Sequence, residues 1–122
     1  MRNTLTGFIL GCLLMSGVLS VQADSRPPIP GPVFRAVRIY WHTKKERVQA
    51  FDVASCETGG RYNTTARNGQ YENIFQMGYS ERRHYGWHVA GSPAWMAARA
   101  AYRYYVASGR DWSPWECKPR WS

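Results

Sequence analysis

Cys56-Glu57-Thr58-Gly59-Gly60 is the stretch of this chain best suited to chemistry. It sets a carboxyl group beside a thiol and just before a pair of glycines. Val48, Phe51 and Ser55 fall on one helical stripe, and Ala50, Val53 or Ala54, and Glu57 on the adjoining one. A helix running into Gly59 or Gly60 would stop there, because glycine takes up the left-handed terminal conformation at little cost. Glu57 would then lie in the last turn, on or beside the buried face. Partial burial and the negative end of the helix dipole both disfavour a carboxylate there, so its pKa should rise. A proton would be held near neutral pH, as a general acid requires. An ordinary solvated glutamate at a helix end has the same local sequence, so its surroundings must decide.

Cleavage of a glycosidic bond usually takes two carboxylates, one as acid and one as nucleophile or base. Asp52 is five residues back on the same helix and rotated away from Glu57. Glu72 could return to Glu57 if the chain reverses at Asn68-Gly69. His84 and His88 have the i, i+4 spacing of a zinc pair, but Gly86 lies between them and no third ligand stands out. No metal or other cofactor is expected. Cys56 could instead be a thiol nucleophile paired with His84 or His88, which would leave Cys117 without a role.

The elements that must place these groups begin after an export signal. Arg2 precedes an apolar run from Phe8 to Val21, and Val21-Gln22-Ala23 suits a signal peptidase. Residues 1–23 are therefore expected to be a signal peptide and the protein to be secreted, in the periplasm or cell wall. A lipobox ending at Cys12 is the rival, although the apolar run continues well past it. Cleavage after Ala23 would leave 99 residues, one small domain that benefits from a staple. Cys56 and Cys117 are the two cysteines of that portion, and in an oxidising compartment a disulfide is their default state. The precursor's net charge of +8 favours an anionic partner such as a bacterial wall. Scattered basic residues without a recognition motif argue against nucleic acid, and the short apolar run against stable membrane insertion.

Residues 24–32 are proline-rich and read as a linker, with the folded domain over 33–122. Val33 to Trp41 has a helical apolar face, Thr43-Lys44-Lys45-Glu46 fits a capping box, and Ser80 could cap a brief helix ending at Gly86. Tyr71 to Tyr79 is either a hairpin arm or a turn of helix. Ser92-Pro93 should start a last helix closed by Gly109, with Trp95, Ala98, Tyr102, Tyr105 and Val106 inward and Arg99 and Arg103 solvated. The fold class expected is mainly α: about four helices, at most a short β-hairpin, and one disulfide.

Four runs together resemble the lysozyme-like superfamily: Cys56-Glu57-Thr58-Gly59-Gly60, Asn68-Gly69-Gln70-Tyr71, Ile74-Phe75-Gln76-Met77-Gly78, and Gly109 through Cys117. The resemblance covers roughly residues 33–119 and is nearest to lytic transglycosylases and resuscitation-promoting factors. It departs at Glu72-Asn73, where those relatives commonly carry glycine. It implies a compact lysozyme-like helical domain with a glycan groove. Glu57 matches the acid that protonates the glycosidic oxygen, Gln76 a glutamine lining the groove, and Cys56 with Cys117 a disulfide pair. Tyr105 is similar to a tyrosine that faces the acid in transglycosylases. Tyr71, Phe75, Tyr79, Trp112 and Trp115 are candidate rings for stacking on sugars, against the ordinary alternative that they form core.

The function expected is thus cleavage of the β-1,4 bond between N-acetylmuramic acid and N-acetylglucosamine in peptidoglycan strands. With no compelling partner for Glu57, single-acid transglycosylation is favoured over hydrolysis using Glu72. The remaining alternatives are a non-catalytic wall-binding or signalling module and a cationic protein acting on membranes or other proteins.

Overall fold

The computed structural model describes residues 28–120; the expected signal peptide, Cys12 and the first part of the linker lie outside them. Helix α1 spans Gly31–Tyr40, so it begins inside the stretch expected to be linker. Pro32 sits in the first turn, where a backbone N–H has no intrahelical partner to lose. Val33, Ala36 and Val37 form its buried face. The helix ends as Trp41 turns extended, which swings its indole into the core.

Helix α2, Lys44–Glu57, starts as a capping box predicts: the Thr43 hydroxyl accepts the Glu46 N–H at 3.2 Å. The reciprocal half of the box is absent. The Glu46 carboxylate instead holds the Arg110 guanidinium at 2.6 Å and accepts the Tyr105 hydroxyl at 2.7 Å. A bidentate charged donor outcompetes a single backbone amide. Ala50 through Ala54 are buried in succession, so mid-helix α2 is enclosed all round rather than along one stripe. At its end the Gly60 N–H donates to the Ser55 carbonyl at 2.7 Å and the Gly59 N–H to that of Cys56 at 3.3 Å. With φ of +62° at Gly59, this is a Schellman cap, and it makes Glu57 the last helical residue.

Strands β1 (Arg67–Asn68) and β2 (Tyr71–Glu72) pair antiparallel, Arg67 opposite Glu72 and Asn68 opposite Tyr71. Gly69 turns the two-residue loop with φ +63°, so the ambiguous 71–79 run resolves as a hairpin arm and a turn. Helix α3, Tyr79–Tyr85, is not capped by Ser80. Its first N–H, on Tyr79, donates to the Gln70 side chain at 3.0 Å, which ties the helix to the hairpin loop. Gly86 ends α3, where an added Cβ would stand 3.2 Å from that of Ala100.

Helix α4, Ala94–Ala107, has Pro93 rather than Ser92 at its N-cap; the Ser92 hydroxyl instead accepts the Val89 N–H at 3.0 Å. Its buried face is Ala94, Ala97, Ala98, Ala100, Ala101 and Tyr105. The expected stripe therefore holds at Ala98, Tyr102 and Tyr105, which are buried or packed on the core, and fails at Trp95 and Val106, which are exposed. Small side chains let α4 come close to α1 and α3, and that close approach outweighs the size of the outward residues. Arg99 is not fully solvated: its guanidinium lies over the Trp95 ring at 5.1 Å and its Nε is buried.

Trp41 is the centre of the core, with Phe75 and Trp112 each 5.6 Å away and Tyr102 edge-on at 5.3 Å. The C-terminal tail supplies Trp112 and Trp115, and the Cys56–Cys117 disulfide fastens it to the end of α2. The described residues thus form a small, mainly helical domain of four helices, a short antiparallel hairpin and one disulfide. None of the described helices is long and apolar enough to cross a membrane.

Candidate active site

Glu57 opens into a small polar cleft of about 170 Å³ that it shares with Asn68, Tyr71, Gln76, Trp115 and Glu116. Three pieces of chain build it: the Schellman-capped end of α2, the hairpin, and the tail. The disulfide joins the first to the last with the two Cα atoms 5.9 Å apart. Beside it the Cys117 N–H donates to Glu57 Oε2 at 3.1 Å. Trp115 is held by its indole N–H, which donates to the Phe75 carbonyl at 2.9 Å.

Partial burial raises the Glu57 pKa above its ordinary value of 4.5, and the neighbouring Glu116 charge pushes the same way. The Cys117 N–H and the Lys118 charge favour the anion and offset part of this shift. The position at a helix C-terminus also disfavours the anion. The cleft therefore holds a carboxyl group inclined to keep its proton.

Gln76 lines the same cleft as Glu57, in a left-handed conformation with φ +47°. Its amide nitrogen donates to the carbonyls of Asn73 at 2.9 Å and Ala66 at 3.2 Å. Two carbonyls fix the amide's orientation, so its oxygen is the atom left for a ligand. Tyr71 also lines the cleft, with its ring substantially exposed.

The other expected substrate residues are placed elsewhere. Phe75 is fully buried, and its part in the site is indirect, through the carbonyl that anchors Trp115. Trp112 stacks on Trp41 in the core and donates its indole N–H to Gln49 at 3.2 Å. Tyr105 does not line the cleft with Glu57; its buried hydroxyl donates to Glu46, and burial followed by that bond pushes its pKa up. Aromatic residues of a domain this small are needed first for its core.

Glu72 likewise does not line the Glu57 cleft. Its carboxylate accepts the Ala90 N–H at 2.7 Å and lies 3.6 Å from buried Arg82 and 3.5 Å from Arg67. The Ala90 bond foremost, then both arginines, hold its pKa below the ordinary value. It clamps the hairpin onto the loop after α3, and is committed there as an anion. Arg82 completes the clamp, donating to the carbonyls of Met77, His88 and Gln70 at 2.9–3.0 Å.

The two histidines are separated in role. His84 is exposed against Tyr85, whereas His88 is buried with Nδ1 at 2.8 Å from the Gly86 carbonyl. That carbonyl is an acceptor, so Nδ1 carries the proton and Nε2 is a bare lone pair without a partner among the described residues. Burial first, and the Arg82 charge after it, lower the His88 pKa. The folded state therefore takes up a proton at lower pH than the unfolded chain, whose histidines titrate near 6.5. Stability contributed by neutral His88 is complete above that value and is lost as pH falls through it toward the lowered folded pKa. Relative to His88→Asn, the wild-type urea midpoint should accordingly drop between pH 7 and pH 5. An equally steep decline in the variant would contradict the assignment. Among the described residues no group of three His, Cys, Asp or Glu side chains could hold a metal ion. Cys56 is oxidised to the disulfide and is no thiol nucleophile.

Two cleft residues were not among the expected site residues: Asn68, placed by its sequence in a turn and in one of the four resemblance runs, and Glu116, a second carboxylate on the same recess. A signal existed for Glu116: each cysteine has a glutamate beside it, Cys56-Glu57 and Glu116-Cys117, so pairing the cysteines brings the glutamates together. A larger groove of about 810 Å³ lies between the starts of α1 and α4 and the 61–64 loop. It is mostly apolar with Arg35 and Arg61 at its walls, and it contains no acid or base suited to proton transfer. The smaller cleft is the candidate for catalysis. Comparisons with family models, curated proteins and solved structures give no match to this chain.

Proposed function

We propose that this protein is a secreted, lysozyme-like enzyme that cleaves the glycan strands of peptidoglycan, with Glu57 as the general acid. The observation that carries this reading is the cleft itself. A partly buried carboxyl closes a capped helix and faces a polar recess beside Glu116, Gln76 and Tyr71. Leaving-group protonation asks for such a carboxyl, one that keeps its proton at a pH where free glutamate has lost it.

Three further features support a sugar chain as the ligand. Tyr71, Tyr79 and Trp87 are exposed rings on the hairpin and the α3 region; Tyr79 and Trp87 stand edge to face at 5.6 Å, and the Tyr71 ring packs by Gly78. Such rings offer faces on which sugars stack. Asn73 adopts φ +71°, a left-handed conformation that asparagine and glycine reach more easily than other residues, at a position where the lysozyme-like families commonly carry glycine. The basic balance, +8 for the full sequence and one unit less after loss of Arg2 with the signal peptide, suits an anionic wall.

Glu116 gives the cleft a second carboxylate, so hydrolysis and single-acid transglycosylation are both open to it. The first test is release of soluble glycan fragments from purified walls, read by mass spectrometry across pH 4–8. Fragments ending at muramic acid are expected. Walls left intact at every pH, with the protein folded and bound, would show a binding module instead.

A further inference from the structure

We propose that Glu116 is the second carboxylate of this cleft and that it activates the water which completes hydrolysis. The inference rests on the reading of Glu57 as the acid. It concerns what attacks the sugar once that acid has acted.

The geometry begins with the disulfide. Glu57 follows Cys56 and Glu116 precedes Cys117, so one covalent bond sets both carboxylates on the same recess. Their surroundings differ. Glu57 is partly buried, ends a helix and accepts the Cys117 N–H, whereas Glu116 is exposed on the tail. One protonated and one solvated carboxyl is the arrangement that glycoside hydrolysis uses. Other groups near the pair are Lys118 from the tail and Tyr71 from β2. The Lys118 ammonium rests on the Trp115 carbonyl and lies 3.5 Å from that of Glu116, so the backbone holds this cation. Asn68 and Gln76 are the remaining polar walls and carry no charge.

The proton balance closes without a co-reactant other than water. Glu57 gives its proton to the glycosidic oxygen as the bond from that oxygen to the anomeric carbon breaks. Glu116 takes a proton from a water whose oxygen bonds to the same carbon. Glu57 ends ionised and Glu116 protonated, and exchange with solvent at exposed Glu116 resets the pair. One water is consumed per bond cut.

The test combines product mass with pH dependence. Wild-type protein on purified walls in 18O-labelled water should give reducing ends carrying one labelled oxygen. Glu116→Gln should cut the rate by about 10²–10⁴-fold, the range for loss of a general base, and Glu116→Asp should recover part of it. In the residual activity of Glu116→Gln, the rate should no longer rise with pH on the acid side. The falling limb set by Glu57 should move to lower pH, because a like charge has gone. A merely structural role would leave the shape of that profile unchanged. Anhydro ends, one water lighter and unlabelled, would overturn the proposal, as would full activity in Glu116→Gln. If wall cleavage depends on Glu57 in either case, only the role of Glu116 fails. If wild-type protein cleaves nothing, or Glu57→Gln cleaves equally well, both readings fall together.

Discussion

Glu57→Gln is expected to lower the rate of glycan release from purified walls by about 10²–10⁴-fold, the usual contribution of general acid catalysis. Glutamine keeps the length and shape of the side chain, and its carbonyl oxygen can still accept the Cys117 N–H that now binds Glu57 at 3.1 Å. What is lost is the group that ionises and can hand over a proton; the amide NH2 that replaces it cannot act as an acid near neutral pH. Loss of activity by misfolding would show in the thermal melt, and the sign of the expected change separates the two. The folded-state pKa of Glu57 is raised, mainly by burial. A raised pKa contributes stability that is complete below the unfolded value and is lost as pH rises through the folded one. Whatever fraction of the carboxyl is ionised above that range is thus a burden on the fold. Glu57→Gln should melt no lower than wild type at pH 7 while having lost its activity. Wild-type rates in this variant would contradict the role of Glu57, and a lower melt at pH 7 would contradict the account of its burial.

Removal of the disulfide should have the largest effect on stability. Cys56 and Cys117 are 61 positions apart, and closing a loop of that size restricts the unfolded chain by about 4 kcal/mol in the chain-entropy model. For a domain of this size that corresponds to a fall of roughly 15–30 °C in the melting temperature of a Cys56→Ser, Cys117→Ser double variant. The catalytic consequence should exceed the thermal one. The disulfide holds the Cys117 N–H against Glu57 and Glu116 on the cleft wall. Glycan release should therefore fall at least tenfold even at temperatures where circular dichroism finds the variant folded. Full activity at such a temperature would mean that packing of Trp112 and Trp115 alone positions the tail.

Much of this architecture is legible in the residues, because local chemistry determines it. The Thr43 cap, the glycine-terminated end of α2 at Glu57, the turn at Gly69 and the closing Gly109 are set by neighbours a few positions apart. The disulfide is the default pairing of the two cysteines that follow the expected signal peptide. What the chain does not display are choices made between distant segments. Glu46 fits a capping box but binds Arg110, because the end of α4 delivers a guanidinium to it. Glu72 looks available beside a turn, yet Arg82, Arg67 and the Ala90 N–H claim it. On α4 size is a poor guide: Trp95 is exposed, whereas alanines together with Tyr105 make the face that packs. Phe75, Tyr105 and Trp112 have the right types for sugar contact but are consumed by a core that needs their bulk. Glu116 lies between these cases. No periodicity marks it, and only its position next to Cys117 ties it to Glu57.

The central claim is that Glu57 carries a proton in its cleft, and its most direct test is titration of the Glu57 side-chain carboxyl carbon by 13C NMR in the folded protein. The midpoint is expected above the ordinary glutamate value of 4.5, and lower in Glu116→Gln than in wild type. A wild-type midpoint at or below 4.5 would contradict the account, because a carboxyl already ionised at that pH has no proton to give a leaving sugar near neutrality.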